Sequence, residues 1–209
     1  MRGELVAVDL ETTGLDVARD DIIEIGAVRT RDGEILDEFS VLVNPGRPIP
    51  SAITHLTGIR SEDVLDAPGI QAVLPQLRAF VGNAPWIAHN IGFDSAFLYR
   101  HGILRSNVRI DTYELASVLL PRAPRYNLTS LSSITGVEIE AAHRAVYEVF
   151  DIHERLQKHV TNEAGCPATP SGRVRLRPAA RPVCRRHDGA SLGPSRPLPL
   201  LHCRPPPKD

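Results

Sequence analysis

The first 161 residues contain no cysteine. Cys166, Cys184 and Cys203 all lie beyond them, so nothing suggests a disulfide framework in the body of the chain. No apolar run is long enough to span a bilayer. The N-terminus, with Glu4 near its start, enters a strand-like segment that has the features of neither a signal nor a transit peptide. These absences lead to the expectation of a cytoplasmic protein with no membrane partner. The body also lacks an excess of positive charge, with 15 Lys+Arg against 22 Asp+Glu before residue 162. That argues against a protein that grips nucleic acid by bulk charge, but leaves room for an enzyme whose metal ions neutralise phosphate locally. No internal repeat is present.

The chain of 209 residues with 42% hydrophobic content can hold one ordinary core and something extra. The composition divides it. Residues 162–209 carry 10 of the 18 prolines, nine basic residues against three acidic ones, and no aromatic. Such a texture cannot repay its ordering entropy by burial. Residues 1–161 are therefore expected to form the folded domain, and 162–209 a disordered Pro/Arg-rich tail or a spurious appendage. Cys184, His187, His202 and Cys203 supply four potential zinc ligands, at a spacing that matches no compact zinc module.

Within the body, residues 4–11 and 21–29 read as strands rich in Val and Ile. Arg31-Asp32-Gly33 reads as a turn before a third strand over 34–43, giving an antiparallel meander. Short helical pieces over 51–56 and 61–65 follow, each with a Ser as its expected N-cap. Ile70, Val73, Leu74, Leu77 and Val81 repeat at helical spacing. A short strand over 85–89 then precedes a helix over 93–101 with Phe93, Ala96 and Phe97 along one side. Residues 108–110 and 111–119 read as another strand and helix, and after 128–135 a last amphipathic helix is expected over 141–160. A meander followed by alternating helices and strands describes a mixed α/β layer fold.

The chemistry begins at Val6-Ala7-Val8-Asp9-Leu10-Glu11-Thr12-Thr13-Gly14-Leu15. Alternate residues of a strand share a face, so Asp9 and Glu11 point the same way. Two adjacent acids raise one another's pKa unless a cation such as Mg²⁺ lies between them. Three further clusters carry candidate partners: Asp94 in Ala88-His89-Asn90-Ile91-Gly92-Phe93-Asp94, Asp111 opening a helix, and His143 with Glu148 five residues on. Taken singly, Asp94 reads as a helix-start carboxylate complementing the dipole, Asp111 as an N-cap, and His143 as a partly exposed surface residue.

Taken in order, these stretches resemble the DEDDh 3′–5′ exonucleases, the family of the proofreading epsilon subunit of bacterial DNA polymerase III. The resemblance covers residues 4–160. It includes Asn44-Pro45-Gly46-Arg47-Pro48-Ile49-Pro50 and Leu56-Thr57-Gly58-Ile59. Asp111-Thr112-Tyr113-Glu114-Leu115-Ala116 and Arg125-Tyr126-Asn127-Leu128-Thr129-Ser130-Leu131 look closest to the exonuclease module fused to DinG-type helicases. The resemblance implies an RNase H-like fold with a mixed five-stranded sheet flanked by helices. It also implies hydrolysis of the terminal phosphodiester of single-stranded or frayed 3′ ends, DNA rather than RNA, releasing nucleoside 5′-monophosphates.

Carried over by position, Asp9, Glu11, Asp94 and Glu148 would ligate two Mg²⁺ or Mn²⁺ ions. Asp9, Glu11 and His143 would be catalytic, with His143 taking the proton of the attacking water. Thr12, Thr13, Leu15, Asn90 and Phe93 would bind substrate. A polymerase or helicase is the implied protein partner. Glu148 departs from the family pattern, which calls for Asp, and reduced activity is expected from its extra methylene. The alternatives are an exonuclease on short RNA and a non-catalytic nucleic-acid-binding or docking domain of the same fold.

Overall fold

In the computed structural model, residues 3–137 and 145–163 are described, with side chains for 3–137 and 149–158. His143 and residues 164–209 of the proposed tail lie outside the described residues, as does the side chain of Glu148. The sheet starts with the expected meander of β1 (Glu4–Thr12), β2 (Ile22–Arg31) and β3 (Glu34–Leu42). It is extended by β4 (Trp86–Ala88) and β5 (Arg109–Asp111) in the order β3-β2-β1-β4-β5. β1 pairs antiparallel with β2 and parallel with β4, and β5 is parallel to β4. The expected mixed five-stranded architecture is the one observed.

β1 is the central strand and is covered on both faces. Val6, Val8 and Leu10 pack with Val73, Leu74 and Leu77 of α2 (Ile70–Val81) and with Phe97 and Leu98 of α3 (Gly92–Arg100). Ala7, on the other face, packs with Val28, Ile87 and the Val149 and Phe150 side chains of α6 (Ala145–Glu163). Strand alternation therefore assigns Asp9 and Glu11 to the α6 face, in step with Ala7. α4 (Thr112–Leu119) and α5 (Leu128–Thr135) close a further cluster against Ile152 and Leu156 of α6. Among the described residues no helix is long and apolar enough to cross a membrane.

Three local expectations are corrected. Ser51 is the first residue of α1 (Ser51–Thr57), and Pro50 takes the cap position with φ −58° and ψ 141°. Proline is tolerated there because its missing N–H would be unpaired in any case. Ser61 is likewise inside its 3₁₀ turn, and its hydroxyl accepts the Ile49 N–H at 2.9 Å, tying the connecting segment down. On α3 the buried face is Asp94, Ser95, Phe97 and Leu98, with Phe93 only partly covered. Its two polar members, Asp94 and Ser95, are the ones that periodicity of apolar residues does not count.

His153 on α6 is buried at 2% exposure. One ring nitrogen lies 2.7 Å from the Gln157 side chain, and Nδ1 has no partner. Desolvation holds its pKa down at about 4, from an ordinary 6.5. The unfolded chain thus takes up a proton first. The stability contributed by neutral His153 is complete above pH 6.5 and is lost as pH falls toward 4. Between pH 7 and pH 5 the loss is expected to be about 2 kcal/mol. Urea unfolding at the two pH values checks this, because in His153→Leu that part of the pH dependence should vanish.

Candidate active site

The C-terminal ends of the parallel strands, where ligands of open α/β sheets bind, bring the acidic clusters to one edge. Asp9 lies opposite Gly26 on β2. Glu11 lies opposite Glu24. Burial, and then the Glu24 charge, push the Glu11 carboxyl up to about 7. β4 stops at Ala88, and the Leu10 N–H instead donates to Asp94 Oδ1 at 3.1 Å. This bond, between positions 84 residues apart, sets Asp94 against the residue that separates Asp9 from Glu11.

Asp94 is 4% exposed. Burial raises its pKa to about 7, with Glu11 and Asp111 adding to the rise against backbone hydrogen bonds that lower it. Among the described residues, the charged groups that raise the Glu11 and Asp94 pKa values are carboxylates: Glu24 for the first, Glu11 and Asp111 for the second. A cluster of hard, partly desolvated oxygen donors with mutual repulsion suits a divalent cation of the Mg²⁺ or Mn²⁺ type, and the residues fit such a group. Among the described residues no group of three or more His, Cys, Asp or Glu side chains is closed on a common point.

Asp111 does more than the expected capping. Its carboxylate accepts Tyr113 N–H at 2.9 Å as the N-cap of α4, and it also accepts Asn90 N–H at 3.0 Å and Ile91 N–H at 3.1 Å. It therefore holds the turn that launches α3, where Asn90 sits at φ 59°, a conformation Asn tolerates better than most residues. His89, next in line, contacts the Thr112 hydroxyl at 2.9 Å.

The positions expected to bind substrate are placed unevenly. Leu15 is 83% exposed. Thr12 donates its hydroxyl to Gly14 O at 2.6 Å. Thr13 is buried, donating its hydroxyl to Asp20 at 3.1 Å while accepting from Asp21 N–H and Arg47. Phe93 stacks on Phe97 at 5.0 Å between centroids, and Asn90 is exposed. Sequence reading missed Arg47 and Arg100, which reach this loop from distant segments. Arg47 lies in the Asn44–Pro50 segment that the resemblance includes and Arg100 in the helix expected over 93–101, but neither was singled out.

A family model described as an exonuclease, RNase_T, matches residues 6–155. The chain belongs to the RNase_T exonuclease family. This exonuclease domain is 42% identical over 150 residues to the DNA polymerase III PolC-type of Caldanaerobacter subterraneus subsp. tengcongensis, covering 70% of this chain and 11% of the relative. It is 38% identical over 149 residues to the PolC-type enzyme of Bacillus subtilis, covering 68% and 10%. The chain thus spans about a tenth of the length of these curated relatives.

Among solved structures, exonuclease X in complex with 5′ overhanging duplex DNA aligns with TM-score 0.58 and 28% identity over 78% of this chain and 95% of that one. Product-bound exonuclease I aligns with TM-score 0.66 over 78% and 45%, and at 18% identity it speaks for the fold alone. The RNase H-like fold and the 3′–5′ exonuclease class drawn from sequence are borne out. The family is dependent on divalent metal.

Proposed function

We propose that this domain removes nucleoside 5′-monophosphates one at a time from single-stranded or frayed DNA 3′ ends, with two Mg²⁺ or Mn²⁺ ions held by Asp9, Glu11, Asp94 and Glu148. The supporting observation is the Leu10 N–H to Asp94 bond, which joins the third carboxylate to the strand residue between the first two. Bound there, the two cations supply neutralisation of the phosphate charge and a more acidic water. DNA as substrate is supported by relatives named as DNA polymerases and by the DNA complex of exonuclease X. A polymerase or helicase working on the same strand, in the cytoplasm, is the proposed partner.

The chain's own groups carry the remaining work. His143 takes the proton of the attacking water, a task suited to an imidazole. Leu15 offers the terminal base an apolar surface in place of water, and Asn90 and Phe93 shape the pocket. Since the Thr12 and Thr13 hydroxyls are engaged inside the protein, the two residues serve the nucleotide through their shape and backbone.

A 5′-labelled single-stranded oligodeoxynucleotide tests the reading. Stepwise shortening is expected with Mg²⁺ or Mn²⁺ and none in EDTA. Internal cuts, or an intact oligonucleotide with either metal, overturn it.

A further inference from the structure

We infer that Arg47 and Arg100 are positioning residues that lock the loop between β1 and β2, so that Leu15 meets the terminal base already in place. This rests on the proposed reading of the site and extends it to two residues to which the resemblance assigns no role.

The loop, residues 13–21, follows the acidic strand directly and exposes its apolar Leu15 almost fully. An apolar side chain at 83% exposure gains nothing from burial, so its placement must come from the backbone around it. Two guanidinium groups from distant segments supply that order. Arg100, in the last turn of α3, donates Nη1 to Val17 O at 2.6 Å and Asp20 O at 2.7 Å, and Nη2 to Asp21 Oδ1 at 3.3 Å. Its guanidinium stands 5.6 Å over the Phe97 ring. Arg47 donates Nη2 to the Thr13 hydroxyl and Arg19 O, both at 2.7 Å, and to Asp20 Oδ1 at 3.2 Å. Its Nε reaches Asp21 Oδ2 at 2.9 Å.

The Asp21 carboxylate is therefore shared, one oxygen to each arginine. Asp20 accepts Asp16 N–H at 2.9 Å and closes over Gly14, where an added Cβ would come within 2.3 Å of its oxygen. The residues before and after Leu15 are both pinned by Asp20, and Asp20 in turn by Arg47.

α3 carries Asp94 in its first turn and Arg100 in its last. At 1.5 Å rise per residue the two are about 9 Å apart along one rigid helix, so a single element sets both a metal ligand and the loop that faces the base. Arginine is suited to this because its planar fork serves several oxygens at once, which a lysine ammonium on a flexible stem does not. The ion pairs are part-exposed, with side-chain exposures of 27% for Arg100 and 42% for Arg47, and such pairs add little to global stability. Their consequence is local order, and pre-ordering a binding loop lowers the cost of binding.

The test compares steady-state shortening of the oligodeoxynucleotide by wild type, Arg100→Lys, Arg47→Lys, Leu15→Ala and the double variant Arg100→Lys with Leu15→Ala. Amide hydrogen exchange over residues 13–21 is followed in parallel. Each Lys variant is expected to raise KM about tenfold with kcat changed less than about twofold, and to speed exchange in the loop alone. The double variant should be no worse than Leu15→Ala, because the arginine acts through that residue.

Multiplying effects in the double variant, a fall in kcat at unchanged KM, or unchanged loop exchange overturns the inference while leaving the enzyme reading intact. Should one Lys variant fail to fold, the other decides. A wild type that does not shorten the oligonucleotide removes the enzyme reading and this inference with it, a distinct result from an active wild type with indifferent variants.

Discussion

Asp9→Ala is expected to leave on the order of a thousandth of the wild-type rate of nucleotide release, equivalent to about 4 kcal/mol of lost transition-state stabilisation. The size follows from position. Asp9 sits on the central strand, on the face covered by α6, opposite Gly26 of β2. On the proposed reading Asp9 would help hold the metal, a role its neighbours could not take over. Glu11 is already crowded by Glu24, and Asp94 has one oxygen engaged with the Leu10 N–H. Rates for the oligonucleotide with Mg²⁺ are the measurement, with the urea midpoint as a check on folding. A variant within tenfold of wild type would take Asp9 out of the machinery.

Glu148→Asp is expected to act in the opposite direction, raising the rate by up to roughly a hundredfold. α6 begins at Ala145, so Glu148 lies in its first turn, directly before Val149, which packs with Ala7 on the face that Asp9 shares. The family pattern places Asp at this position. The additional methylene of Glu moves the carboxylate by something over an ångström, and Mg²⁺ accepts little departure from octahedral geometry. Shortening the side chain restores the reach. The same oligonucleotide assay reads the gain. If Glu148→Asp is no faster than wild type and Asp9→Ala no slower, the domain binds nucleic acid or a partner without cutting, and the proposed function falls.

Much of this was legible in the chain itself, because the signals are local. The Val- and Ile-rich runs and the Arg31-Asp32-Gly33 turn specify the meander. The spacing of Val73, Leu74 and Leu77 specifies α2, and the alternation of Asp9 and Glu11 assigns both acids to one face. These readings depend only on the two-residue period of a strand and the 3.6-residue period of a helix. The order of the acidic clusters was enough to identify the family.

Other features were decided only when segments distant in sequence met. Asp94 read alone is a dipole-complementing carboxylate, and its burial follows from an N–H that β4 leaves unpaired 84 positions earlier. Asp111 read alone is a helix cap, and its hold on Asn90 and Ile91 needs β4 and β5 side by side. Arg47 and Arg100 were given no role by the sequence, yet they converge on the two oxygens of Asp21. Periodicity reports which way a side chain points relative to its own element. Which donor meets which acceptor is set by the packing of the elements, and that is where the carboxylates acquire their cluster and the loop its lock.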